Sequence, residues 1–301
     1  MTAVALSHEY LQARKPARVV VLGGGGFIAG AIRRRLEANG ISTLAVGRPA
    51  LDLLKPGAAE QLAGLLRPED VLVVASAKAP CKDVAMLAEN IRMIEAVCLA
   101  LQRRPVAHLV YLSSDAVYRD STKPLTEKSC AEPGGLHGAM HLSREIALRH
   151  AHQGPLMLIR PTLVYGNDDP HNGYGPNRFG RLAAAGEDIS LFGEGEELRD
   201  HVDVEDVAEL AGLVIMHRSS GIANAVSGAV ASFRELADFA SASFPGKVSV
   251  RGSRRSGPMP HNGYRAFDNQ AVLQAFPGFA FKGWREGLEK IYAARMNGSA
   301  G

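Results

Sequence analysis

Two histidines four residues apart, His137 and His141 in the stretch HGAMH, are the side chains best suited to move a proton. An imidazole titrates near pH 6.5, which suits acid/base work at neutral pH. On a helix, positions i and i+4 share a face, so both rings can point into one site. Such a pair is also a start for a metal site. HGAMH, however, lacks the glutamate of H-E-x-x-H and no clear third ligand accompanies it, so no metal is expected. A second stretch, residues 19–40, places four consecutive glycines between an apolar run and a helical pattern. A turn that bare can be tight, lets the backbone approach a pyrophosphate, and turns the free N–H groups of the following helix toward the phosphates. Gly23 and Gly26 have the spacing G-x-x-G; a third glycine is expected at 29, where Ala29 stands, with Gly30 just after.

The elements that must position these residues follow from periodicity. From Ala17 to Gly47 the chain reads as strand, glycine turn, helix, turn and strand, with Phe27, Ile28, Ile32 and Leu36 on one helical face. DVLVVASA (70–77) and VAHLVYLSS (106–114) repeat the apolar strand, with a long helix over 86–104 between them. LMLIRPTLVYG (156–166) reads as one further strand, after a helix over SREIALRHA. Near-continuous apolar strands alternating with helices predict an α/β fold with a doubly wound parallel sheet. Beyond Gly166 the elements shorten and mix, which predicts a smaller α+β lobe over 167–301, part of 202–228 returning to the first domain (17–166). The acidic run EGEELRDHVDVEDVAE reads as an exposed loop and then a helix capped by Asp203 with Asp206 in its first turn.

Composition removes several classes. The 301 residues carry 34 basic and 31 acidic side chains, a net +3 spread along the chain, so neither a nucleic-acid nor a membrane partner is expected. Arg33, Arg34 and Arg35 read as the solvated face of a helix. Three cysteines without C-x-x-C spacing argue against a disulfide framework. With no signal-peptide core or long apolar stretch, a cytoplasmic location is expected; residues 1–16 read as a tail, disordered or a short helix.

LGGGGFIAG, LDL (51–53), VVASA (73–77), Asn90, YLSSDAVY (111–118), RPTLVYG (160–166), LFGEGEELRDHVDVEDVAE (191–209) and GWREGLEKIY (283–292) occur in an order and spacing that resembles the extended short-chain dehydrogenase/reductase family. Within it, the branch of NAD(P)-dependent nucleotide-sugar epimerases, dehydratases and 4-ketoreductases is the most similar. The resemblance runs from about residue 17 to 293 and implies a Rossmann-type sheet and hydride transfer at a sugar carbon.

Carried over residue by residue, the resemblance gives Gly23, Gly26, Phe27 and Ile28 to the pyrophosphate. It gives Asp52 and Leu53 to the adenine pocket, and Ala75, Ser76, Ala77, Asn90 and Pro161 to the cofactor surroundings. Arg48 ends the second strand, where a carboxylate would select NAD, so the cofactor is expected to be NADP rather than NAD. Ser114 matches the family's substrate hydroxyl, with Asp115 beside it. Asn177, Phe192, Arg199 and, by a looser match, Arg265 take the places that hold a nucleotide diphosphate; a guanidinium fork suits phosphate oxygens.

The departure lies in the catalytic pair. The family places a tyrosine and, four residues on, a lysine where this chain has His137 and His141, with Glu145 in register. His137 is then a replacement acid/base, with His141 also a ribose contact that lacks a permanent charge. The function expected is an NAD(P)-dependent oxidoreductase or epimerase acting on a nucleotide-activated sugar. The alternative is a catalytically altered NAD(P)-binding protein with a sensing or regulatory role. Relatives of this kind pair through their two long helices, so a homodimer is expected through 86–104 and 137–152. His108, His150, His152 and His217 read as solvated or satisfied.

Overall fold

The computed structural model describes residues 6–298. A short β1 (Ser7–His8) precedes β2 (Val19–Leu22), whose sequence VVVL is buried throughout. Helix α1 (Phe27–Ala38) carries the chain to β3 (Thr43–Val46), α2 (Ala58–Leu65) to β4 (Val71–Val74), α3 (Val84–Arg103) to β5 (His108–Leu112), and α4 (Leu136–Ala151) to β6 (Leu156–Pro161). After β7 (Leu163–Tyr165), α5 (Pro176–Ala184) and β8 (Ile189–Phe192), the chain enters β9 (Leu198–Asp203). Next come α6 (Val204–Met216), β10 (Ser219–Ala225), β11 (Val230–Ser232), α7 (Phe233–Ser243), β12 (Val250–Ser253), β13 (Tyr264–Arg265), α8 (Gln270–Ala275) and α9 (Trp284–Gly298).

Seven strands form the large sheet in the order β1-β10-β6-β5-β4-β2-β3, all parallel except β1. Alternation along β2 explains the two layers of helices. Val19 and Val21 pack with α1 and α6 on one face, whereas Val20 and Leu22 pack with α2 and α3 on the other. This is the doubly wound Rossmann-type arrangement expected of the sequence. A second sheet centres on β9, which pairs with β7, β11 and β13, while β8 pairs with β12.

Three local expectations are corrected. The strand expected over 156–166 is two strands: β6 belongs to the large sheet, and from Leu163 the chain pairs with β9 instead. Between them, the Thr162 hydroxyl donates to the Asp200 carbonyl at 3.2 Å, tying the crossing point to the second sheet. The loop expected before Asp203 is the buried strand β9. Its central carboxylate is accepted inside because it has partners: Asp200 receives the amides of Ser227 at 2.9 Å and Gly228 at 2.8 Å. The tail is neither helix nor disordered over its described part. Ser7 and His8 pair antiparallel with β10, and His8 Nδ1 lies 2.8 Å from Ser219 Oγ; residues 1–5 of that expectation lie outside the described residues.

Other readings hold in detail. The Asp203 carboxylate accepts from the Glu205 amide at the head of α6. His108, His152 and His217 each bond a backbone carbonyl, and His150 is exposed.

Candidate active site

The glycine turn joins two cavities. One, of about 550 Å³, is lined by Gly25, Gly26, Phe27, Ile28, Ser114, His137, His141 and Pro161, among others. The second, of about 360 Å³, is lined by Gly23, Arg48, Asp52, Leu53 and Ser76. Both include Gly25, Gly26, Ala75 and Ala77 in their walls, so the turn forms the saddle of a continuous cleft.

The backbone of the saddle requires its glycines. Gly23 has φ +86°, and a Cβ there would lie 2.8 Å from the Ser76 amide nitrogen. At Gly25, by contrast, a Cβ would meet nothing within 4 Å, so this position faces open space. Gly26 caps α1 without a side-chain bond, and the first helical turn carries no acid, so its amides and positive dipole end stay free for an anion. A pyrophosphate with a nucleoside on either side fits this cleft. Gly23→Ala is expected to lower stability by about 1–3 kcal/mol through the left-handed backbone and the clash with Ser76. A denaturant midpoint equal to that of the parent would show that the turn relaxes.

His137 and His141 stand in the larger cavity as edge-to-face rings with centroids 4.8 Å apart. Gly138 between them lets α4 approach the turn after β5, since a Cβ there would sit 1.9 Å from the Ala116 carbonyl. His137 Nδ1 accepts the Cys81 amide at 3.3 Å, which leaves Nε2 to carry the ring proton in the neutral form. Burial lowers the His137 pKa, partly opposed by Asp115. His141 is more deeply buried, and its Nδ1 lies 2.8 Å from the Tyr111 hydroxyl. Glu145, one turn further, binds Arg160 through both oxygens, at 2.8 and 2.6 Å, and accepts from the Ser113 hydroxyl at 2.6 Å, locking α4 onto β5 and β6.

Several residues expected at the site stand behind it or beside it. Asn90 lines neither cavity. Its amide braces the strand-end loop, accepting from the Lys78 N–H and donating to the Lys78 and Met86 carbonyls. The Ser114 hydroxyl lines the larger cavity but caps the following turn through the Ala116 amide. Asn177 also lines it, with its amide already shared between the Gly166 N–H and Asp169. Phe192 is 55% exposed and stacks on Tyr174 outside the lining. Both arginines expected to clamp phosphates hold carboxylates: Arg199 binds Glu197 at 3.1 Å, and Arg265 binds Asp115 at 2.8 Å and Asp120 at 2.9 Å. Neither arginine nor Asp115 belongs to the lining.

One wall residue escaped the sequence reading. His201, on β9, is buried; its Nδ1–H donates to the Arg199 carbonyl at 3.1 Å, and its Nε2 has no partner among the described residues. Burial lowers its pKa to about 3, so the ring stays neutral, with an unpartnered Nε2 buried within the wall. Nothing in the polar run RDHV distinguishes such a histidine from a surface one. Among the described residues, no three His, Cys, Asp or Glu side chains converge as a metal would need, and no helix is long and apolar enough to cross a membrane.

A doubly wound sheet with a glycine saddle at its strand ends and a histidine pair in the adjoining cavity has the architecture of a dinucleotide-binding α/β protein. The NAD dependent epimerase/dehydratase family model matches residues 19–226, and the chain belongs to that family. It is 30% identical over 260 residues to the putative GDP-L-fucose synthase 2 of Oryza sativa subsp. japonica, covering 74% of this chain and 72% of the relative. Its fold is similar to that of a UDP-glucose 4-epimerase of Thermus thermophilus in complex with NAD, at 21% identity and TM-score 0.78, covering 92% of this chain and 98% of that one. A GDP-L-fucose synthetase of Naegleria fowleri bound to NADP is also similar, at 16% identity and TM-score 0.77, covering 99% and 96%.

Proposed function

We propose that the protein is an NAD(P)-dependent oxidoreductase or epimerase of a nucleotide-activated sugar, with His137 as its acid/base. The observation that carries this reading is a single cleft that leads from Asp52 and Arg48, over the glycine saddle, to the His137 ring. Family membership and similarity to sugar-nucleotide enzymes support the substrate class. Gly23, Gly25, Gly26 and the head of α1 would hold the pyrophosphate, with Asp52 and Leu53 beside the adenine. When bound there, a nicotinamide would supply or accept a hydride at a sugar carbon.

The chain's own residues handle the proton. Because the Cys81 amide occupies Nδ1, His137 offers an Nε2–H to the cavity, where it can donate to a carbonyl oxygen. That bond polarises the carbonyl; transfer of the proton itself requires the imidazolium, in which Nδ1 has also gained a proton and given up the Cys81 amide. The rings and the apolar side chains of Leu112, Leu163 and Val164 shield that hydrogen bond from water, which strengthens it. Arg48 at the rim of the smaller cavity supports NADP over NAD. Exposed Ile91 and Leu99 on α3 and Ile146 on α4 support a homodimer through those helices.

Nicotinamide absorbance tests the reading directly. With NADPH and a panel of 4-keto sugar nucleotides, oxidation of the coenzyme is expected with at least one, and NADPH is expected to bind more tightly than NADH. Coenzyme binding without hydride transfer across the panel would leave the sensing role in its place, and no binding of either coenzyme would remove both.

A further inference from the structure

Arg144, on α4, is completely buried, and among the described residues no carboxylate neutralises it. The other two most deeply buried arginines are paired: Arg160 with Glu145 at 2.6 Å and Arg265 with Asp115 at 2.8 Å. A guanidinium keeps its proton at every pH a folded protein experiences, and burying it without a counter-charge is unfavourable. Arg144 is held there by neutral acceptors alone. Its Nη2 donates to the Ser76 carbonyl at 2.6 Å and its Nη1 to Asn90 Oδ1 at 3.1 Å, while Nε has no partner. The charge is thereby fixed beneath the strand end that floors the cleft, 5.3 Å from the centre of the Tyr111 ring and one turn from His141.

We propose that Arg144 is a positioning residue for proton transfer: its uncompensated charge adds to burial in keeping His141 neutral, so that Tyr111 fixes the His141 tautomer and His137 alone exchanges a proton. This rests on the reading of His137 as the acid/base. The hydrogen bonding agrees, because the Tyr111 hydroxyl has His141 Nδ1 as its partner, and a buried phenol proton is satisfied only if it donates there. Burial holds His141 well below the usual imidazole range, and His137 and Arg144 push it the same way. Other charges near the pair are already engaged: Glu145 by Arg160, Asp115 by Arg265, and Lys78 by Glu89. Asp115 still acts on His137, and Arg144 is the unpaired fixed charge that acts on His141.

Histidine ring resonances followed by NMR from pH 8 to pH 5 test the assignment without turnover. In the parent protein His141 is expected to stay neutral with its proton on Nε2, while His137 titrates. Arg144→Met is expected to raise the His141 midpoint by about one pH unit, a tenfold gain in proton affinity, and to add a second bend to the pH–rate profile. Arg144→Lys, which keeps the charge, is expected to behave as the parent. An unchanged His141 midpoint in Arg144→Met overturns the proposal. Should that variant fail to fold, a parent His141 that carries its proton on Nδ1, or that charges together with His137, overturns it equally. Full turnover in a His137 variant would instead remove the catalytic reading and leave the His141 titration standing.

Discussion

His137→Phe is expected to lower turnover by about a hundredfold to ten-thousandfold while leaving coenzyme affinity as it is. The loss follows from geometry: His137 is the ring whose Nε2–H faces the larger cavity, whereas His141 spends its Nδ1 on Tyr111. Phenylalanine preserves the edge-to-face packing against His141 and removes the proton, together with the acceptor of the Cys81 amide. The parent's pH dependence carries the same information. Burial holds the His137 pKa below 6.5, so the protonated ring that delivers a full proton to a ketone is depleted as pH rises through that lowered value. Reduction rates are expected to fall on the alkaline side of a bend below pH 6.5, and oxidation rates to fall on its acid side. Unchanged turnover in the variant, or a bend above pH 7, would take His137 out of the role.

Acid is expected to unfold the protein through its buried imidazoles. His108 is lowered to about 4 and His201 to about 3, chiefly by burial, and His137, His141, His152 and His261 are lowered as well. A histidine whose folded pKa lies below its unfolded value binds more protons when unfolded. Its contribution to stability is complete above pH 6.5 and is lost as pH falls toward the folded value. Between pH 6.5 and 4, His108 and His201 together would remove about 7 kcal/mol. Asp200 opposes them: burial raises it to about 7, and its protonation in the fold returns about 4 kcal/mol as pH falls from 7 toward 3.8. The net loss from these three groups is about 3 kcal/mol; His137, His141, His152 and His261 add to it, while Glu127 and Asp203, raised by burial, oppose it, against a total stability of about 5–15 kcal/mol. The melting temperature is expected to fall steadily between pH 6.5 and pH 4. His108→Gln, which keeps a donor toward the Ser219 carbonyl, should shallow that slope; a flat melting temperature from pH 7 to 4.5 would exclude the mechanism.

The sequence carried the large sheet well, because its strands are apolar on both faces and its turn needs a bare backbone. VVVL is buried at every position, and Gly23 has the positive φ that a glycine there implied. It carried the small sheet poorly. RDHVD reads as a polar loop, and only tertiary partners such as the Ser227 and Gly228 amides make it an interior strand. The break at Thr162 was hidden because LMLIRPTLVYG stays apolar while changing sheets. The His137 and His141 positions were legible from spacing and family resemblance. The buried settings of Arg144, Tyr111 and His201 were not, since each depends on what a buried atom lacks or finds across the fold.

The added strand β1 has a further bearing on self-association. An open sheet offers two rows of unpaired amides and carbonyls to other chains, and those rows nucleate fibrils. Ser7 and His8 cover part of one such row on β10, with His8 pinned by Ser219 and by the Ala275 carbonyl at 3.0 Å. At the opposite margin β3 is only four residues long, and Pro49, which has no amide proton to donate, follows shortly after it. Removing residues 1–10 would uncover the longer margin, and the shortened chain should therefore be the more prone to stack through its strands.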